Sequence, residues 1–189
     1  MRALLAIFIV IFSLQSLAKA DDIKDFEIEG ISVGDSLLDH FNKSKVDNNK
    51  RFPHWESKKF MRFVSTENLN QYDGLLFYFK DNGKYLISSI SAVKKYPNDI
   101  NECYKQQKNL IQQFKKLYNN YTINDYKSIH QQDKSGKSNN SVFDFNFNDG
   151  TSSRVICTDW SEEIGYTDEL RITLQSKEYT YFIRHEAYN

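Results

Sequence analysis

The sequence predicts an α+β domain in which antiparallel β-hairpins pack on one long amphipathic helix. Three observations predict it. Two apolar runs each break at a three-residue loop ending in glycine, Asp81-Asn82-Gly83 and Asn148-Asp149-Gly150. Such loops suit a type I turn followed by a glycine at positive φ. Between them, Ile100, Cys103, Leu110, Ile111, Phe114, Leu117 and Tyr118 recur at three- and four-residue spacing, a single stripe aimed at a core. The composition, 15% aromatic with 7 Gly and 2 Pro, argues against disorder and for a packed chain.

The first twenty residues stand apart from that domain. Arg2 precedes an apolar run over residues 3–12, and Ala18-Lys19-Ala20 supplies small residues at an A-x-A site. This is the pattern of a cleaved secretory signal peptide, with an apolar run too short to span a bilayer. No Cys follows the run, which argues against a lipid anchor. The expected domain therefore covers residues 21–189, placed in the periplasm or outside the cell. With Arg2 and Lys19 removed from 25 basic residues, 23 face 25 acidic ones, a net charge of −2. Such a balance gives no global attraction to nucleic acid or an anionic membrane.

Along the domain, residues 25–29 alternate as a short strand ended by Gly30. Ser36-Leu37-Leu38-Asp39 reads as a capping box opening a short helix, with Leu37, Leu38 and Phe41 as its apolar side. Residues 42–59 are polar and basic and read as a loop; residues 59–64 read as a strand. The first hairpin runs over residues 75–80 and 84–93. Pro97 closes it, and Asp99 caps the long helix. Residues 119–141 are polar, with a weak strand near 121–129. The second hairpin runs over residues 142–147 and 151–159. A three-residue loop there sets Phe143 opposite Val155 and Asp144 opposite Arg154, with Phe143, Phe145, Val155 and Cys157 on one face. A two-residue loop would split that face. Leu170, Ile172 and Leu174 alternate as the last strand. Beyond Ser176, Tyr179, Phe182 and Ile183 fit a helix, while Tyr179, Tyr181 and Ile183 fit a strand; the helix is preferred. Each capped helix precedes a glycine-ended hairpin, so a duplicated α-β-β-β unit is a second level at which the fold reads.

Both cysteines lie in the predicted domain, Cys103 on the helix stripe and Cys157 on the core face of a strand. In an oxidising compartment an isolated pair forms a disulfide, here stapling helix to sheet.

For chemistry, the string Val33-Gly34-Asp35-Ser36-Leu37 resembles the first block of the GDSL family of esterases and lipases. That resemblance implies Ser36 as nucleophile, a downstream Asp-x-x-His and a parallel sheet. The chain departs from it: His185 follows Phe182-Ile183-Arg184, and no Gly-x-Asn-Asp occurs. Ser135-Gly136-Lys137-Ser138 ends like a P-loop, but Gln131 stands where glycine is needed, so no nucleotide is expected. His40, His54, His130 and His185 are scattered without paired spacing, so neither a metal nor another cofactor is expected. Between Lys43 and Arg62 seven basic residues surround Phe52 and Trp55, with only Asp47 and Glu56 opposing. Lys50, Arg51 and Trp55 are the candidate binding residues there, suited to an acidic envelope component or an acidic protein. The segment over residues 28–38, the Cys103 helix and the Cys157 strand resemble a group of small, secreted, uncharacterised bacterial proteins. That likeness implies export and a disulfide, and no activity. The sequence therefore leads to an exported non-catalytic binding domain, with a GDSL-like hydrolase using Ser36 as the alternative.

Overall fold

The computed structural model describes residues 23–97 and 99–187. The predicted signal peptide, residues 1–20, lies outside the described residues. The described chain is α+β: four helices accompany one seven-stranded antiparallel sheet and a small two-stranded one. Among the described residues no helix is long and apolar enough to cross a membrane.

In chain order the elements are β1 (Glu27–Ile28), β2 (Ile31–Ser32), α1 (Leu37–His40), α2 (Lys43–Asn49), β3 (Met61–Ser65), β4 (Gly74–Phe79) and β5 (Ile87–Lys95). There follow α3 (Ile100–Leu117), β6 (Tyr121–Ile129), β7 (Asn139–Phe147), β8 (Ser152–Asp159), β9 (Glu169–Gln175) and α4 (Lys177–His185). The large sheet has the order β3-β4-β5-β9-β8-β7-β6. Two meanders thus meet at its centre, where β5 pairs with β9 and Ile90 faces Leu174.

Alternation gives the sheet two unlike faces. Phe63, Phe77, Ile90, Ile172, Val155 and Phe145 point to the main core, which α3 covers with Cys103, Leu110, Ile111 and Phe114. Cys103 and Cys157 are bonded, with S–S 2.05 Å and Cα–Cα 6.0 Å. Beside the disulfide, the buried Gln107 amide donates to the carbonyls of Ser141 at 2.7 Å and Val155 at 3.0 Å, so the helix is also held by the sheet's backbone. On the reverse face α4 closes a second apolar cluster of Trp55, Phe60, Tyr179, Phe182 and Ala187. A buried hydroxyl network joins that helix to the sheet: the Ser152 hydroxyl lies 2.8 Å from Gln175 Oε1 and 3.0 Å from Thr180 Oγ1.

The β7–β8 register is the expected one, Phe143 opposite Val155 and Asp144 opposite Arg154, with the ion pair of the latter at 3.0 Å. Gly150 sits at φ +90°, a backbone conformation that favours glycine at this turn.

The strand expected over residues 121–129 is present, as a nine-residue edge strand. Three expectations need correction. Residues 42–59 are not all loop, because Asn42 caps α2 by accepting from Ser44 N at 2.9 Å. Leu38 is exposed; of the predicted apolar side of α1, Leu37 is fully buried and Phe41 partly so. The β4–β5 connection is longer than three residues, since Phe79 pairs with Ile87 after a bulge. The cause is competition for backbone: Gly34 N donates to Ile87 O, Ile87 N to Asp35 O, and Leu37 N to Tyr85 O, at 2.8–3.0 Å. The segment entering α1 takes the hydrogen bonds that a tight hairpin would have used.

Candidate functional site

Ser36 is the N-cap of α1. Its Oγ accepts from Leu38 N at 3.2 Å and donates to Lys84 O at 3.4 Å. His40, one turn on, has its Nε2 3.3 Å from Asp35 Oδ2, an oxygen that also accepts from Ser32 N. Among the described residues no hydrogen bond links the Ser36 hydroxyl to an imidazole, and Ser36 and His40 are each engaged in local structure. Ser36→Ala is expected to remove a cap worth about 1 kcal/mol, read as a small fall in Tm by thermal denaturation. Next to this turn, Glu29, His40, Phe41, Lys45, Glu67 and Asn70 line a cleft of about 480 Å³. Two of its carboxylates, Glu67 and Glu29, are already engaged. Lys45 pairs with Glu67 at 2.8 Å. Burial raises the Glu29 pKa, but the backbone N–H groups of Gln71 and Asn70 and the Asn70 amide outweigh it and hold the carboxyl below its usual value.

Around Ser135-Gly136-Lys137-Ser138 the backbone N–H groups that would face a phosphate are used internally. Asp133 accepts from Ser135 N at 2.8 Å, Ser138 N at 2.9 Å and Ser161 Oγ at 3.0 Å. Hydrogen bonding from the Ser135 and Ser138 side chains, helped by their backbone N–H groups and opposed by burial, holds its pKa well below the carboxylate range. Among the described residues there is no group of three or more His, Cys, Asp or Glu placed to hold a metal ion.

The basic segment divides into two sets. Lys43, Lys45, Lys50 and Lys59 each reach a carboxylate: Asp47 for Lys43, Glu67 for Lys45, Asp47 and Asp81 for Lys50, Glu178 and Glu186 for Lys59. Hydrogen bonding to Asp81, joined by Asp47, drives the Lys50 pKa upward. Asp47, which also accepts from the Tyr85 hydroxyl at 2.7 Å, is held well below its usual value by Lys43, Tyr85 and Lys50. Trp55 lies in the reverse-face cluster, 5% exposed, its ring stacked on Tyr78 with centroids 5.3 Å apart and edge-on to Phe182 at 5.3 Å. It presents no ring face for a ligand.

Arg51, Lys58 and Arg62 form the second set. All three are exposed and pair with no carboxylate among the described residues. Arg51 and Arg62 are joined through a two-way backbone bridge, 2.9 and 2.7 Å, which occupies the outward backbone groups of β3 at Arg62. The Arg51 guanidinium donates to the carbonyls of Asn48 and Lys50, which orients it without neutralising it. Phe52 is 48% exposed, and Lys58 Nζ stands 5.3 Å from its ring centroid. Of the three candidate residues drawn from the sequence, this surface keeps Arg51, leaves Lys50 in an internal ion-pair network and sends Trp55 inside. Phe52, Lys58 and Arg62 were in the same stretch; what distinguishes them is the missing carboxylate partner, which only folding reveals.

Fold and surface together define an α+β protein built on one seven-stranded antiparallel sheet, with an uncompensated cationic surface beside the sheet edge. No family model, no curated protein and no solved structure matches the chain.

Proposed function

We propose that the protein is an exported, non-catalytic domain that binds an acidic partner of the cell envelope or the extracellular medium through Arg51, Phe52, Lys58 and Arg62. The observation that carries this reading is three cations that pair with no carboxylate among the described residues, Lys58 standing over the exposed Phe52 ring and Arg51 and Arg62 held side by side by their backbone bridge, while the other lysines of the segment are internally paired. An aromatic face flanked by guanidinium and ammonium groups suits acidic glycans or acidic protein faces, which offer carboxylates and apolar ring surface together. The signal-like leader supports export, and the disulfide suits an oxidising compartment. The likeness to small secreted bacterial proteins points the same way. The helices opening at Ser36 and Asp99 each precede an antiparallel three-stranded meander, β3-β4-β5 and β6-β7-β8, which supports a duplicated α-β-β-β unit with α2 as an addition to the first copy.

Co-sedimentation with envelope fractions of the native host tests the reading. Replacing Arg51, Lys58 and Arg62 together by Ala is expected to weaken binding by about tenfold or more, and raising salt to weaken the unsubstituted protein in the same direction. Phe52→Ala is expected to weaken it at constant salt dependence. Binding unchanged in the triple variant overturns the proposal.

A further inference from the structure

The two edges of the large sheet are treated differently. Arg51 occupies the outward backbone groups of β3 at Arg62, whereas among the described residues β6 pairs with β7 alone and carries no such bridge on its outer side. The β6–β7 register fixes which backbone groups of β6 face outward. His130 N donates to Ser138 O at 2.9 Å, the next step of that register. Even-numbered residues of β6 therefore spend their N–H and C=O on β7, and Tyr121, Ile123, Asp125, Lys127 and Ile129 point theirs at the open edge. On this nine-residue strand the outward donors and acceptors of five residues, without a partner strand among the described residues, are a template for another strand.

We propose that the occupant is a second copy of this chain, with β6 pairing antiparallel to β6 about a two-fold axis at Tyr126. In this register Asp125 meets Lys127 of the second copy, and Lys127 meets Asp125, so two opposite-charge pairs flank the axis. Ile123 meets Ile129 on each side, covering an isoleucine that is 59% exposed in the single chain. Asn124 meets Ser128, and the two Tyr126 rings, each 41% exposed, meet on the reverse face. The outward groups of residues 123, 125, 127 and 129 fall opposite one another as hydrogen-bonded pairs, the arrangement that an antiparallel ladder needs. Shifting the axis by one residue sets Asp125 on Asp125 or Lys127 on Lys127, which like-charge repulsion disfavours. The strand is thus complementary to itself in one register. Two sheets join into one of fourteen strands, an isologous contact that closes on itself and leaves each Arg51 edge at a far end.

Sedimentation equilibrium across the micromolar range tests this with four proteins. The unsubstituted chain is expected to dimerise. Asp125→Lys and Lys127→Asp each turn two attractive pairs into two repulsive ones, and each is expected to raise the dimer Kd by about tenfold or more. The double variant Asp125→Lys/Lys127→Asp restores opposite charges and is expected to return the Kd close to its starting value, which damage to the fold would not allow. An unsubstituted chain that stays monomeric overturns the proposal. So does a dimer indifferent to the single reversals, or one that the double variant fails to restore. These positions lie on the edge opposite the cationic surface, so loss of the dimer and loss of envelope binding are read separately.

Discussion

Removing the Cys103–Cys157 disulfide is expected to lower stability by about 4 kcal/mol, the chain-entropy value for a link between residues 54 apart. The effect acts mainly on the unfolded chain, whose freedom the crosslink restricts. The native state adds its own share, because both sulfurs are fully buried between α3 and β8. For a chain of this size the change corresponds to a Tm lower by about 10 °C. Thermal denaturation with and without reductant measures it, alongside Cys103→Ala/Cys157→Ala to separate the bond from the reductant. The Gln107 bonds to Ser141 and Val155 persist when the bond is cut, so α3 is expected to remain docked and far-UV circular dichroism to change little. A Tm unmoved by reduction contradicts the account.

Trp55→Ala is expected to cost about 3–5 kcal/mol, the range for deleting a large buried aromatic. The ring contacts Tyr78, Tyr179 and Phe182, so its loss opens a void between α4 and the reverse face of the sheet. The same substitution is expected to leave envelope binding by the folded fraction unchanged, because the ring is not at the cationic surface. Urea denaturation and co-sedimentation below the unfolding transition give the two readings. Reduced binding at unchanged stability would instead make Trp55 a ligand contact.

Much of the architecture was legible because it is local. The α3 stripe needs only residues three and four apart, and loop length alone sets Phe143 against Val155. Both place a cysteine on a core face, and the disulfide follows. The polar helix α2 was not legible: it buries Val46 and little else, so no apolar period marks it, and the Asn42 cap was its single signal. The strand β6 was weak for a related reason, with exposed residues on both faces along most of its length. The long β4–β5 connection and the β5–β9 pairing depend on partners distant in sequence, which local patterns do not carry. At the candidate surface the basic character was visible, but which cations would be neutralised depended on Asp81, Glu178 and Glu186 arriving from elsewhere.

The central pairing of β5 with β9 has a consequence for how the molecule is made. A chain delivered N-terminus first completes β3, β4 and β5 long before Ser89 can find Gln175. Until then the backbone groups of β5 that face β9 have no partner strand, and Phe60 lacks Phe182 from the final helix. The two halves of the sheet are therefore joined late, when the last strand and helix have emerged.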